Sequence, residues 1–151
     1  MQENVGQLMT LDPVVVDVGT SVTDCAKAME RREIGAVGVT TDGTLTGVLT
    51  DRDIVLRLVA RGKDPGSTTA GEIATPNVVT ASADTSIVDA VRIMSQRAVR
   101  RLFVVDDSGR PRGILTVDDL TAIRDPDSVV AAQLGEWGVW RADQGYSGDS
   151  E

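Results

Sequence analysis

The sequence contains an internal repeat, and this repeat constrains the fold more than any other feature of the chain. Residues Gly6–Thr10 resemble Gly71–Thr75, which lie 65 positions later. Residues Gly47–Thr50 match Gly113–Thr116 at an offset of 66, so one residue is inserted in the second copy. A register kept over most of two consecutive segments indicates a duplicated unit, and the chain should fold as two similar halves.

Each copy carries the same order of predicted strands and helices. In the first copy, the β-branched run Val14–Val16 predicts a strand, and apolar residues at helical spacing over 22–29 predict an amphipathic helix. Strands on either side of Thr41–Gly43 predict a hairpin, and a second helix is expected over 51–61. The second copy repeats this order from Val78 onward. The order β-α-β-β-α, found twice, predicts an α/β (α+β) fold in which two repeats pack as a pseudo-twofold module.

The repeat also sets the expected domain boundaries. The stretch between the copies contains Pro65 and few apolar residues, which is typical of a linker. We expect the first repeat over residues 1–61, a linker over 62–69, the second repeat over 70–124 and a C-terminal segment over 125–151.

The C-terminal segment lies outside the repeat. Residues Ser128–Leu134 predict one more helix, and the polar, glycine-rich end from Gln144 is expected to be disordered in part. Trp137 and Trp140 either cover an apolar patch or form an oligomer contact, since aromatic residues are favoured at interfaces. The sequence leaves both alternatives open.

The charge balance argues against several classes of partner. Fifteen basic and 23 acidic residues give a formal net charge of −8, the wrong sign for coating a nucleic-acid backbone or an anionic membrane. No apolar run approaches the roughly 18 residues of a membrane span, and the start of the chain has no basic segment typical of a secretory signal. We therefore expect a cytoplasmic protein.

Rare residue types limit the chemistry further. The chain has no His, which excludes a Ser-His-Asp triad and a Cys-His pair. The single Cys25 falls on the apolar face of the first predicted helix, which predicts a buried, inert thiol. One thiol without His supplies no zinc site. The aspartates at the predicted helix starts are interpreted as helix caps rather than metal ligands: Asp51, Asp53, Asp118 and Asp119. We expect a non-catalytic protein without a metal site.

Two Thr-x-x-Asp pairs, Thr50 with Asp53 and Thr116 with Asp119, stand where the second helix of each copy should begin. Such a pair can form a capping box, which stabilises a helix by about 1 kcal/mol and needs no ligand. The same residues also suit a nucleotide, because free amides and a hydroxyl attract phosphate while the carboxylate accepts from ribose hydroxyls. Gly47, just before the first pair, would let the backbone approach a flat ring closely. The residues alone leave both interpretations open.

The pattern of each copy resembles a CBS motif. It runs from Leu8-Met9-Thr10 through a Val strand, a helix and a hairpin to Gly47–Asp53, and again from Ile73 to Gly113–Asp119. The resemblance covers about residues 5–124. Two such motifs form a Bateman module, usually a regulatory sensor of adenine nucleotides or S-adenosylmethionine. Here the module resembles the stand-alone two-repeat type of bacterial stress and hypoxic responses.

The resemblance implies a ligand site on each repeat. In the family, the Thr and Asp positions hold phosphate and ribose, and the first strand offers backbone groups to the adenine edge. Basic residues before the second strand face the phosphate of the site on the other repeat; here they occur only in the second copy, which predicts unequal sites with the stronger one at Thr50 and Asp53. The candidate ligand-binding residues are Thr50, Asp53, Arg100, Arg101, Thr116, Asp119, Val14, Val15, Val16, Val79, Thr80, Gly47 and Gly113.

The expected function is regulatory. The candidate ligands are AMP, ADP, ATP and S-adenosylmethionine, and binding would be signalled by a change of conformation or of affinity for a protein partner. A homodimer is the expected assembly, by analogy with the family. The alternative is a stand-alone interaction protein whose clefts no longer bind a ligand. A third class, nucleic-acid binding, is disfavoured by the charge of −8.

Overall fold

A computed structural model describes residues 3–76 and 78–121. The predicted helix at Ser128–Leu134 and the residues Trp137 and Trp140 lie outside the described residues. Within the described ranges, no helix is long and apolar enough to cross a membrane.

Short elements precede a longer strand-helix-hairpin segment in each half of the chain. The helices are α1 (Val5–Leu8), α2 (Val22–Arg32), α3 (Asp51–Ile54), α4 (Ala70–Ile73), α5 (Ile87–Arg97) and α6 (Val117–Thr121). A π-helical turn, Val55–Val59, continues α3. The strands are β1 (Thr10–Leu11), β2 (Val15–Asp17), β3 (Ala36–Thr41), β4 (Thr44–Thr50), β5 (Thr75–Pro76), β6 (Thr80–Ala81), β7 (Arg101–Val105) and β8 (Pro111–Thr116).

The first unit comprises residues 12–78 with the loop 107–111. Its sheet has the order β2-β3-β4-β5, with β2 parallel to β3 and the other neighbours antiparallel. Strand β5 comes from the beginning of the second sequence copy and pairs with β4 through Gly47↔Pro76 and Val48↔Thr75. The sheet of the first repeat is therefore completed by a segment of the second repeat.

The second unit comprises the described residues of 1–11, 79–106 and 112–151. Its sheet has the order β1-β8-β7-β6, with β6 parallel to β7 and β1 antiparallel to β8. Strand β1 comes from the beginning of the first copy and pairs with β8 through Thr10↔Ile114 and Leu11↔Gly113. The two halves thus exchange their leading segments.

Each unit has its own apolar core beneath its sheet. The long helices α2 and α5 supply buried residues at helical spacing, which is why these segments fold as amphipathic helices. In the first unit, the fully or nearly buried core residues are Val22, Cys25, Met29, Val37, Val39, Leu49, Leu58, Ala70 and Ile73. In the second unit they are Val5, Ala81, Ile87, Ala90, Val91, Met94, Leu102, Val104, Leu115, Val117 and Leu120.

The α/β fold class and the β-α-β-β-α order of each copy are confirmed, with differences in detail. Strand β2 is shifted by one residue from the predicted Val14–Val16, and the corresponding strand in the second copy is only Thr80–Ala81. The helix predicted over 51–61 is α-helical only to Ile54 and then widens into the π-helical turn. The leading helices α1 and α4 and the strands that follow them were not predicted.

The long helices end in a left-handed residue that is not glycine. The C-caps Glu33 and Ala98 have φ of 53° and 54°, at matching positions in the two copies. A side chain is disfavoured in this conformation, and glycine adopts it without steric cost. We expect Ala98→Gly to raise the free energy of unfolding by about 0.5–1 kcal/mol in urea denaturation. Ala90→Gly, in the buried interior of α5, is the control and should lower it; equal effects of the two changes would contradict the expectation.

Candidate functional site

The first candidate site is built where β4 ends and α3 begins. Thr50 is the N-cap of α3, with an extended backbone, and its Oγ1 accepts the N–H of Asp53 at 3.0 Å. Oδ2 of Asp53 in turn accepts the N–H of Thr50 at 2.9 Å. The backbone N–H of Asp51 donates to the carbonyl of Gly35 at 2.9 Å, which ties the start of the helix to the entry of β3. This reciprocal capping box fixes both side chains at the carboxyl end of the strand.

The second candidate site repeats this geometry at the end of β8. The N–H of Thr116 donates to Oδ2 of Asp119 at 2.8 Å, and the N–H of Asp119 donates to Oγ1 of Thr116 at 3.3 Å. The N–H of Val117 donates to the carbonyl of Arg100 at 3.1 Å, in the same way as at the first site. One difference is that the Thr116 hydroxyl also lies 3.1 Å from Oδ2 of Asp119 and donates to it. Both predicted Thr–Asp pairs are thus formed.

The predicted first strands lie at sheet edges. Val15 and Val16 belong to β2, which pairs on one side with β3, and the carbonyl of Val14 accepts the N–H of Gly38 at 3.0 Å. Thr80 belongs to β6, which pairs with β7, and Val79 precedes it. An edge strand leaves backbone donors and acceptors on its outer side, so both units present such groups.

Gly47 and Gly113 have a structural reason that needs no ligand. A Cβ at Gly47 would lie 3.2 Å from the carbonyl oxygen of Thr75, which belongs to the neighbouring strand β5. A Cβ at Gly113 would lie 2.9 Å from the carbonyl oxygen of Thr10 and 2.6 Å from Sδ of Met9. The absence of a side chain at these two glycines therefore lets the exchanged strands β5 and β1 pair closely with β4 and β8. The sequence-based assignment to a bound ring stays a prediction.

The basic pair lies at the entry of β7 in the second unit. Arg100 is exposed and precedes the strand, while Arg101 is its first residue and is half-buried. The backbone bond from the Val117 N–H to the Arg100 carbonyl ties the entry of β7 to the start of α6. The expectation that the basic pair holds the phosphate of a ligand bound at Thr50 and Asp53 stays a prediction.

Cys25 lies in the core of the first unit, as predicted, and its side chain is fully buried. Burial, with a smaller contribution from Asp24, raises the pKa of the thiol from its ordinary 9.0 to about 11. The thiolate is therefore about a hundredfold scarcer at pH 8 than for a free thiol.

We expect iodoacetamide at pH 8 to alkylate the native chain at least a hundredfold more slowly than the urea-unfolded chain, because the reactive thiolate is rare and shielded. The rate can be followed by mass spectrometry, with Cys25→Ala as the background control. The free energy of unfolding should also fall from about pH 9 to pH 11 relative to this control, since the unfolded chain releases the thiol proton first. Native-state alkylation as fast as that of the unfolded chain would contradict the assignment.

Two contacts of Asp53 were missed by the sequence analysis. Oδ1 of Asp53 accepts the Thr75 hydroxyl at 3.4 Å and lies 3.8 Å from Nε of Arg57. The i,i+4 spacing of Asp53 and Arg57 is a signal that could have found the second contact. Thr75 is 22 residues away and reaches the site only through β5, so no local pattern points to it. Among the described residues, no group of three or more His, Cys, Asp or Glu side chains could hold a metal ion.

The duplicated α/β unit, with a capping Thr–Asp pair at the end of β4 and of β8, defines a protein of two paired, similar modules. The CBS domain family matches the chain over residues 5–60 and 70–124. The chain belongs to the CBS domain family, as the resemblance of its two motifs implied.

Two bacterial relatives show the extent of the similarity. The chain is 35% identical over 117 residues to CBS domain-containing protein YhcV of Bacillus subtilis, which covers 78% of this chain and 82% of the relative. It is 38% identical over 101 residues to hypoxic response protein 1 of Mycobacterium tuberculosis. This alignment covers 66% of this chain and 70% of the relative. The expected similarity to stress and hypoxic-response proteins is thereby confirmed.

Solved structures give the same family. Hypoxic Response Protein I, crystallised with two coordinated zinc ions, matches with a TM-score of 0.74 and 32% identity over 81% of this chain and 99% of that one. The CBS domain pair of protein MJ0100, in complex with 5′-methylthioadenosine and S-adenosyl-L-methionine, matches with a TM-score of 0.72 and 28% identity over 81% and 95%. The cytosolic domain of the Mg²⁺ channel MgtE, in complex with ATP, matches with a TM-score of 0.69 and 33% identity over 80% of this chain and 48% of that one.

Proposed function

We propose that this CBS pair is a non-catalytic sensor that binds an adenosine-containing ligand at its Thr–Asp sites. The observation that carries the proposal is the recurrence of one geometry in both units: a Thr and an Asp locked together at the carboxyl end of a strand, with an edge strand in the same sheet. A capping role alone accounts for the pair, but it does not account for the ligands bound by similar proteins, 5′-methylthioadenosine with S-adenosyl-L-methionine in one and ATP in another.

The Asp53 carboxylate has capacity left for a ribose. Its Oδ2 accepts a strong bond from the Thr50 backbone, whereas among the described residues its Oδ1 has only the longer contacts with Thr75 and Arg57. The side chain keeps 12% of its surface exposed. An ionised carboxylate has about four acceptor positions, so Oδ1 can accept from ribose hydroxyls without breaking the capping box.

The two sites differ in a way that favours Asp53. The Thr116 hydroxyl donates a hydrogen bond to the Asp119 carboxylate. Among the described residues, the Thr50 hydroxyl accepts from Asp53 and has no acceptor of its own within hydrogen-bond distance. Its proton is thus available to a ligand oxygen. Without reference to either site, the family resemblance implies that Arg100 and Arg101 add affinity for phosphorylated ligands, since guanidinium groups form charge-assisted bonds to phosphate.

A melting experiment tests the proposal. We expect the melting temperature of the full chain to rise by several degrees with at least one of AMP, ADP, ATP and S-adenosylmethionine, because a ligand at about 100 times its Kd stabilises by roughly 2.7 kcal/mol. Asp53→Ala should abolish most of the shift, and Arg101→Ala should reduce it for the phosphorylated ligands only.

The control is Gln7→Ala, which removes an equivalent capping bond, from the Asn4 N–H to Oε1 of Gln7 at 2.8 Å, in α1 of the second unit. It should lower the ligand-free melting temperature, as Asp53→Ala does, and keep the ligand shift. Absence of a shift with all four ligands in the wild type would reject the sensor proposal and favour the interaction protein.

For the assembly, we propose a homodimer. Val55, Leu56 and Val59 follow α3 with 55%, 47% and 64% of their surface exposed, although they are apolar. Exposed apolar residues this close together are typical of a surface that a protein partner covers. Light scattering after gel filtration gives the mass: a monomer at micromolar concentration would contradict the homodimer and leave a different protein as the partner.

A further inference from the structure

Arg57 lies beside the Asp53 carboxylate, the group that we propose to bind the ribose. It lies in the π-helical turn Val55–Val59, four residues after Asp53. Its Nε is 3.8 Å from Oδ1 of Asp53, and its Nη1 donates to the carbonyl oxygen of Ile73 at 3.0 Å. We propose that Arg57 is a positioning residue, which holds the Asp53 carboxylate in the orientation that reads the ribose hydroxyls. This inference rests on the proposed function.

The carboxylate of Asp53 is held from three directions. The Thr50 backbone fixes Oδ2, and the Thr75 hydroxyl and the Arg57 guanidinium approach Oδ1. Within residues 3–76 and 78–121, Oδ1 without the guanidinium would keep only the 3.4 Å contact with Thr75. A polar group that is already oriented loses less rotamer freedom when the ligand binds, and this raises affinity for the group that it recognises.

Arg57 is itself anchored, which a positioning residue requires. Ile73 is the last residue of α4, where carbonyl groups have no partner within the helix. The bond from Nη1 to this carbonyl therefore satisfies a helix end and fixes the guanidinium at the same time. Arg57 lies in the middle of the π-helical turn. This turn is closed by the bond from the Ala60 N–H to the Val55 carbonyl at 2.9 Å. Such turns are frequent at functional sites.

The second site is built differently. At the position that corresponds to Arg57, with the offset of 66 that relates Gly47 to Gly113, the sequence has Ile123. An aliphatic residue cannot pair with a carboxylate. Asp119 is instead bonded by the hydroxyl of its own capping residue, Thr116. We therefore expect the Asp53 site to discriminate more strongly than the Asp119 site between ligands with and without ribose hydroxyls.

The test compares AMP with 2′,3′-dideoxy-AMP by calorimetry. All chains carry Asp119→Asn, so that Asp53 is the carboxylate that remains in the two Thr–Asp pairs. The ratio of the two dissociation constants isolates recognition of the ribose, because contributions from adenine and phosphate cancel. We expect Arg57→Leu to reduce this ratio by roughly three- to tenfold, the range of one hydrogen bond, and Arg57→Lys to restore part of it. Arg61→Leu, the same charge change one turn further on, should leave the ratio unchanged. If Arg57→Leu does not fold, Arg57→Gln takes its place.

The outcomes separate this inference from the function on which it rests. Equal weakening of AMP and dideoxy-AMP by Arg57→Leu would mean that Arg57 contacts phosphate or only supports the fold, and would overturn the inference. A ratio near one in the chain that carries Asp119→Asn alone would also overturn it while leaving nucleotide binding intact. If the chain that carries Asp119→Asn alone binds neither of these compounds and none of ADP, ATP and S-adenosylmethionine, the proposed site itself fails, and this is visible before any Arg57 variant is made.

Discussion

Replacing Leu115 by alanine should lower the free energy of unfolding by about 2–5 kcal/mol, and replacing Leu49 should have a similar effect. Both side chains are completely buried, one in the core of each unit, and each directly precedes the capping threonine of a candidate site. Truncation removes apolar contacts and leaves a cavity that the surrounding sheet and helices fill only in part. Urea denaturation with a common m-value measures the loss.

Leu56→Ala is the matched control, because it deletes the same atoms from a side chain that is 47% exposed. It should cost less than about 1 kcal/mol. A loss for Leu115→Ala no larger than that for Leu56→Ala would show that the second core is not formed as described.

Gly113→Ala is the second change for which a large effect is expected, a loss of about 1–3 kcal/mol. The new methyl group would come within 2.9 Å of the Thr10 carbonyl oxygen, which belongs to the paired strand β1 and cannot move aside as a side chain can. Gly47→Ala should cost less, because the corresponding carbonyl, that of Thr75, is 3.2 Å away.

The measurement is again urea denaturation without ligand. Met9→Ala in the Gly113→Ala background should recover part of the loss, since Sδ and Cγ of Met9 are the other close atoms, at 2.6 and 3.0 Å. If Gly113 were required only for the approach of a ligand, alanine there would leave the ligand-free stability unchanged. That result would return the glycine to the role predicted from the sequence.

Much of the fold could be predicted because its signals are local. The amphipathic helix over 22–29 is predicted from apolar residues three and four positions apart, and the hairpin is predicted from the turn at Thr41–Gly43. The pairing of β1 with β8 could not be predicted in the same way. A strand of two residues is too short to show an alternation of apolar and polar residues. Its pairing depends on residues more than 100 positions away in sequence, as in Thr10↔Ile114. The π-helical turn also leaves no periodic signature in five residues.

In the candidate site, too, the contacts between residues close in sequence could be predicted and the contacts between distant residues could not. The Thr50–Asp53 pair could be found because a capping box has a fixed spacing of three residues. The contact of Asp53 with Thr75 could not, since it depends on the exchanged segment. Gly47 and Gly113 also have a structural reason that no local pattern shows, because a carbonyl of the neighbouring strand lies close to each of them. The approach of a ligand ring to these glycines stays a prediction.

The exchange of leading segments has a consequence for how such a chain can arise by gene duplication. Strand β5, which completes the sheet of the first half, is encoded at the start of the second half, and strand β1 is encoded at the start of the first half but completes the sheet of the second. Each half of the gene therefore encodes most of the sheet of one unit and one edge strand of the other unit. A deletion that removes either half therefore also removes the edge strand that completes the sheet of the half that remains.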